Sequence, residues 1–343
     1  MPRIVTTRHL LRLSDDCGVA QHASFALANR HHGYCLDDNA RALLLMSKLS
    51  LLRPLTPAEQ RAAEAYAAFV HHCWCADNGT FRNFMGFDRN WIDSAGDEDA
   101  AARAFWGIAA AYASAPLAGI APWARTLLDQ MLAFPGNFGS LRAWAMLLIA
   151  LEDCLATAGE WREAEALYRE LAGRMRVRFG DAARANWLWW EDNLAYENAR
   201  LCEAAIRAGV RLGDPVLRAA GLDSLRWLNG LQMDGGRFHP VGSDSFGKPY
   251  ALPARFDQQP IEAAATIDAC LAAAATDSDP CWMAAASAAM AWFHGANDLG
   301  LPLADPAEGL CRDGLHPDRV NANAGAESTL CYLLACCVFD AAA

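Results

Sequence analysis

A chain of 343 residues with 54% hydrophobic and 20% charged side chains is long and apolar enough to bury a large core, which excludes disorder. Its formal charge of −11 repels nucleic-acid phosphates and anionic membranes and excludes both as general partners. No apolar run reaches the roughly 20 residues that span a bilayer, and the first residues lack the pattern of a signal peptide, so a cytoplasmic location is expected.

Strand signals are nearly absent, and helical periodicity runs through almost the whole chain. The spacing predicts a helix over Asp38–Leu52, stopped near Pro54. Thr56 then reads as an N-cap with Pro57 at the first helical position, opening a helix to about Trp74. Glu98–Ala113 pairs with Pro122–Phe134, and Ser140–Ala158 with Trp161–Val177. Asn193–Ala208 pairs with Asp214–Leu231, and Gln259–Ala275 with Pro280–His294. Gly325–Phe339 closes the chain and needs an N-terminal partner, for which Ser14–Asn29 is the candidate. Turns within pairs are short, as antiparallel neighbours require. Several linkers between pairs, such as Asp77–Asp97 and Gln232–Asp257, are long, polar and aromatic, the composition of a functional rim. With no linker cutting the chain in two and no fixed solenoid period, residues 1–343 are expected to form one all-α domain, an (α/α)6 toroid.

Cysteine chemistry gives little. Among twelve cysteines, Cys202, Cys270, Cys331, Cys336 and Cys337 sit in apolar helical positions and suit small buried hydrophobes. The run His71, His72, Cys73, Cys75 lacks a second ligand pair, and no Cys-x-x-Cys occurs. Asp93–Asp99 does not meet EF-hand spacing. Neither a metal nor a cofactor is expected, and no nucleophile elbow, phosphate loop or zinc-protease motif is present.

The informative residues cluster where inner helices would begin. The first start carries His31-His32-Gly33-Tyr34-Cys35-Leu36-Asp37-Asp38-Asn39-Ala40-Arg41. The second has Trp91, then Asp97-Glu98-Asp99 and Arg103, with Trp106 one turn on. Another has Trp187-Leu188-Trp189-Trp190-Glu191-Asp192, then Tyr196-Glu197-Asn198-Ala199-Arg200. The fifth has Arg255-Phe256-Asp257-Gln258-Gln259-Pro260-Ile261-Glu262, and the last Asn321, Asn323 and Gly325-Ala326-Glu327-Ser328-Thr329. Capping and the helix dipole account for one or two acids at each start. They leave the adjoining Trp, His, Tyr, Gln and Arg unexplained, as well as arginines three or four residues after acids on the same face. A convergent pocket explains the mixture. Aromatic faces stack on sugar rings and polar groups pair with hydroxyls, while two carboxyl groups in unequal environments supply glycoside acid/base chemistry. Adjacent acids such as Asp37-Asp38 and Glu191-Asp192 are natural places for such inequality.

The runs His31–Cys35 with Asp37–Arg41, Arg255–Glu262, Asn297-Asp298-Leu299-Gly300-Leu301-Pro302, Asp313-Gly314-Leu315-His316 and Gly325–Thr329 resemble the six-hairpin glycosidase-like superfamily. More narrowly, the chain resembles bacterial proteins named glycosyltransferase-like or glycosidase-like, along nearly its whole length. The resemblance implies the toroid fold and a carbohydrate ligand. No doubly wound α/β half is present to hold a sugar nucleotide, so transferase chemistry of that kind is not expected. The expected activity is glycoside hydrolysis on oligosaccharides, mannose-containing ones among the candidates. Asp38, Asp192, Asp257 and Glu327 form the pool for the catalytic pair, with Glu98 and Glu262 behind them; acids that merely hold Arg41, Arg103 or Arg200 are the alternative. His32, Tyr34, Arg41, Trp91, Trp106, Trp190, Arg200 and Gln258 are candidates for sugar contact, although a helical tryptophan is more often core. Two rivals stand beside this. A sugar epimerase or isomerase would use histidines such as His31, His32, His239 and His316 for proton transfer at carbon. A noncatalytic glycan-binding domain would serve a glycosyltransferase.

Overall fold

Several helices begin on a side-chain cap. Thr56 Oγ1 accepts from the Glu59 N–H while the Glu59 carboxylate accepts from the Thr56 N–H, a reciprocal capping box with Pro57 at the first turn. Asp97, Ser140 and Asp214 cap later helices by the same side-chain acceptance.

The computed structural model describes residues 5–117, 119–132 and 138–342. Among them twelve α-helices occur. The first six are Arg8–Leu13 (α1), Leu36–Leu52 (α2), Pro57–Cys73 (α3), Glu98–Ala113 (α4), Ala121–Met131 (α5) and Leu141–Ala158 (α6). The rest are Arg162–Ala182 (α7), Ala199–Leu212 (α8), Pro215–Gln232 (α9), Pro260–Ala274 (α10), Cys281–Phe293 (α11) and Ala326–Ala342 (α12). Helices α2, α4, α6, α8, α10 and α12 each pack on the next, and α12 returns to α2. The ring is closed. Helices α3, α5, α7, α9 and α11 sheath it, each against the inner helix that precedes it. This is the expected (α/α)6 toroid.

Inner helices are buried on most of their faces, and apolar residues make up most of that surface. Leu36, Ala40, Leu43, Leu44, Leu45 and Met46 of α2 are all buried. Small residues let these helices close in: a Cβ on Gly107 of α4 would lie 2.5 Å from the Ala40 carbonyl oxygen of α2.

The sixth outer position is filled by α1, which packs on α12. The expected partner, Ser14–Asn29, is not that helix. Ser14 turns extended, and Asp15 Oδ1 accepts from the Cys17 and Gly18 N–H groups in an Asx turn. Beyond this turn the chain forms a small antiparallel hairpin, Ala23–Ser24 (β1) with Leu27–Ala28 (β2). The long linkers hold further two-residue ribbons. Tyr34–Cys35 (β3) pairs with Phe84–Met85 (β6), and Trp74–Cys75 (β4) with Thr80–Phe81 (β5). Met233–Asp234 (β7) pairs with Arg237–Phe238 (β8), Ala304–Asp305 (β9) with Leu310–Cys311 (β10), and Gly314–Leu315 (β11) with Val320–Asn321 (β12). Two-residue strands are too short to show an alternating pattern, so sequence periodicity passes over them.

The helix expected from Asn193 starts at Ala199, because Glu197 holds a left-handed backbone (φ 50°) that a helix cannot carry. The expected helix end at Phe134 lies outside the described residues. No described helix is long and apolar enough to cross a membrane.

Candidate active site

Hydrogen bonds join the inner-helix starts to one another. Glu98 at the start of α4 accepts from the Gly139 and Ser140 N–H groups ahead of α6, at 2.8 and 2.7 Å. Asp99 accepts from Ser140 Oγ and from the Tyr196 hydroxyl ahead of α8. Glu262 in the first turn of α10 accepts from the Glu197 N–H and from both the backbone and side-chain nitrogens of Asn198. Glu327 of α12 reaches Arg41 of α2. The starts therefore share one face of the ring.

A cavity of about 290 Å³ opens there. Asp37 and Asp38 of α2, Gln259 ahead of α10, Glu327 and Ser328 of α12, and Asp313 and Gly325 from the segment before α12 line it. Cys35 just before α2, with Gln21, His22, Asn83 and Phe84 from the linkers, completes its wall. A wider groove of about 570 Å³ at the opposite ends of α2 and α4 holds, among the described residues, Arg53 and Glu64 as its charged side chains. The Arg53 guanidinium is already taken by Glu59.

Asp38 is the electrostatic oddity of the cavity. It is 3% exposed, and burial pushes its carboxyl up to about 8, with the Asp37 and Glu327 charges adding to the rise and Arg41 opposing it. The Cys35 thiol, itself raised by burial and so kept as S–H, donates to Asp38 Oδ2 at 3.0 Å. Arg41 binds Asp37 at 2.9 Å and Glu327 at 3.0 Å, so one guanidinium holds two cavity carboxylates in place. Arg103 Nε meets the other Asp37 oxygen at 3.1 Å. Beneath the cavity the pairing continues along the ring axis. Glu197 takes both Arg103 and Arg200, and Arg200 also meets Glu203 and Asp268. Burial pushes the Glu197 carboxyl up, and Arg103 and Arg200 outweigh it, holding it well below the usual range.

The other expected acids have different surroundings. Asp257 accepts from Ser243 Oγ at 3.0 Å and meets His316 Nδ1 at 3.2 Å. Asp192 is exposed and receives the Asn193 side chain. Glu262 is buried with its carboxyl raised to about 7 by burial, against the pull of its Asn198 and Glu197 donors; it fixes the left-handed turn ahead of α8. Glu98 holds the backbone at Gly139 and Ser140, just ahead of α6. Replacing Glu98 by alanine should cost about 1 kcal/mol of stability, the usual net worth of a hydrogen bond, and leave sugar binding unchanged; thermal unfolding beside ligand titration checks both.

Of the expected sugar contacts, Arg41 and Arg200 are buried and committed to carboxylates. Tyr34 is buried, stacks against Phe87, and donates its hydroxyl to Asp15 at 2.6 Å. Trp190 is fully enclosed between Phe179 and Trp189. Trp91 packs on Phe69 and His72 at the end of α3. Trp106 lies under Arg103 and Arg200 in the ring interior. Gln258 has no free polar edge: its amide donates to the Arg255 carbonyl and Asp298, and its oxygen accepts from Trp292. His32 sits at the rim, its ring centroid 4.5 Å from that of His22.

Cavity residues absent from the sequence-based candidate set are Gln21, His22, Cys35, Asp37, Asn83, Phe84, Gln259, Asp313, Gly325 and Ser328. All but Gln21, His22, Asn83 and Phe84 lie in runs that carried the family resemblance, which was the available signal. Among the described residues no group of three or more His, Cys, Asp or Glu side chains is arranged to hold a metal ion.

The fold is shared with carbohydrate-active enzymes. A cellobiose 2-epimerase from Bacillus thermoamylovorans matches with a TM-score of 0.73 at 11% identity, over 98% of this chain and 96% of its own. A sugar epimerase from a ruminal bacterium matches at 0.71 and 12% identity, over 97% and 94%. A family 76 α-mannanase of Bacteroides thetaiotaomicron matches at 0.64 and 11% identity, over 93% and 88%. No protein-family model and no curated protein sequence matches the chain.

Proposed function

We propose that this cavity cleaves a glycosidic bond of an oligosaccharide by carboxyl acid/base catalysis. The observation that carries the reading is a buried Asp38, kept protonated near neutral pH, beside the Arg41-held carboxylate of Glu327 in one cavity. Asp38 gives its proton to the leaving glycosidic oxygen. The Cys35 thiol occupies Oδ2, which leaves the Asp38 proton to Oδ1. Glu327, with its side chain 47% exposed, takes the proton of the attacking water. Asp37 stays paired with Arg41 and Arg103, and its negative charge adds to the burial that keeps Asp38 neutral. Incubation with manno- and gluco-oligosaccharides should release new reducing ends; a wild-type protein that releases none from any of them overturns hydrolysis.

A second reading is sugar epimerisation or isomerisation, and the fold comparisons favour it more than the first, since the two matches above with TM-scores over 0.7 are epimerases. Of the histidines expected for it, His316 and His239 are paired with Asp257 and Asp298, and His31 is exposed. His22 lines the cavity and touches His32, and burial, followed by the His32 charge, lowers its pKa and favours a neutral imidazole base. Turnover in D2O separates the two readings: epimerisation places deuterium on carbon in recovered sugar, and hydrolysis does not.

A further inference from the structure

The cavity, at about 290 Å³, is at the small end of ligand pockets, which run from roughly 300 to 1,000 Å³. It has room for the reacting part of an oligosaccharide, and the remaining rings must lie over the mouth. Phe84 is part of the cavity wall and is partly exposed. It is held by Asp93, which accepts from the Phe84 N–H at 3.0 Å. The β1–β2 hairpin adjoins the cavity through its own neighbours. Phe25 at its turn donates its N–H to Asn323 Oδ1 and accepts from the Ala324 N–H, each at 2.9 Å, immediately before the cavity residue Gly325. His22, one residue before β1, lines the cavity as well.

Phe25 is an unusual occupant of that turn. Its φ is +55°, a region that Gly, Asn and Asp adopt at far lower cost than a bulky aromatic. Phe25 is 71% exposed, and Leu27 near it is 76% exposed, so neither gains core packing in return. An exposed apolar group on a pinned, left-handed turn beside a cavity marks a contact made by something else.

We propose that Phe25 and Phe84 form a stacking subsite for sugar rings beyond the one that occupies the cavity. The ligand class is an oligosaccharide of at least three rings, whose apolar ring faces lie on the two phenyl groups. This rests on the carbohydrate reading above and extends it to chain length.

The test is calorimetric binding of manno- and cello-oligosaccharides, from monosaccharide to pentasaccharide, to wild type and to Phe25→Ala, Phe25→Gly and Phe25→Trp. Wild-type affinity should rise with ring number past the disaccharide. Phe25→Ala should lose about tenfold toward the longer ligands, the worth of an aromatic contact, and nothing toward the shortest. Phe25→Gly should lose the same affinity while its melting temperature holds or rises, because glycine relaxes the turn; a merely structural Phe25 would show the reverse. Phe25→Trp should retain long-ligand affinity. Equal affinity across the ladder for wild type and Phe25→Ala overturns the subsite. So does a Phe25→Ala protein whose sedimentation changes while its sugar affinity does not, which would make the hairpin a contact between two copies of the chain. Failure of wild type to bind any sugar in the ladder overturns the carbohydrate reading itself and the subsite with it.

Discussion

Asp38→Asn should lower glycoside turnover by roughly 10²–10⁴-fold, the usual worth of a positioned general acid, while making the folded protein more stable at neutral and alkaline pH. Asparagine keeps the shape of the side chain and the acceptor for the Cys35 thiol, but it has no proton to transfer. The stability half follows from linkage. Burial raises the Asp38 carboxyl from an unfolded value near 3.8 to about 8. Between those values the native chain holds a proton that the unfolded chain has released. Stability from this group is therefore complete below pH 4 and is lost as pH rises through 8. The asparagine variant lacks that slope, so its melting temperature should exceed wild type at pH 8 and converge with it toward pH 4. The same titration shapes catalysis: kcat/KM of the wild type should fall on the alkaline side with an apparent pKa near 8, as the acid form disappears. A variant that keeps its activity, or an alkaline limb that is absent, removes Asp38 from the chemistry.

The site was legible in the sequence only where its cause is local. Helices were readable because caps and apolar spacing are local: Glu98–Ala113 begins and ends where the pattern says. Asp38 and Glu327 were readable as members of a wider pool of acids because each lies in the first turn of an inner helix, and ring closure brings α12 to α2; Arg41, expected to contact sugar, instead holds Glu327. The start of α8 was misplaced because its cause is distant: Glu262, more than sixty residues on, accepts from the backbone at Glu197 and Asn198 and holds the left-handed turn. Gln258 and Gln259 show the finest limit. Backbone pairing of Gln258 with Leu315 sends its side chain inward to Trp292, while its neighbour faces the cavity. A one-residue difference of that kind is fixed by a partner strand, and no local pattern announces it. Trp190 and Trp91 sit beside acids in the sequence as sugar-stacking residues would, yet packing on Phe179 and Phe69 decided their fate. The linker residues Gln21, His22, Asn83 and Phe84 belong to no helix start at all, so a search confined to helix starts passes over them.

The charge column under the cavity should fail in a way that the cavity carboxyls do not. Glu197→Gln should destabilise the protein by about 3–5 kcal/mol, the loss expected when one member of a buried ion pair is removed and its partner charge stays behind. Arg103 and Arg200 are each nearly inaccessible, and both donate to Glu197. Arg200 would still have Glu203 and Asp268, so the uncompensated charge falls mainly on Arg103, left with Asp37 alone. Denaturant unfolding at neutral pH should show the loss as a lower midpoint with little change in slope. The pH dependence has the opposite sense to that of Asp38. The Glu197 carboxyl is held below its unfolded value, so its contribution is present above about pH 4.3 and is lost as pH falls. The gap between Glu197→Gln and wild type should therefore narrow on acidification. Replacing both partners, Arg103→Met with Glu197→Leu, should recover most of the stability, since no charge is then buried alone. If the double variant is as unstable as the single one, the column stabilises through its geometry around Trp106 and not through charge balance.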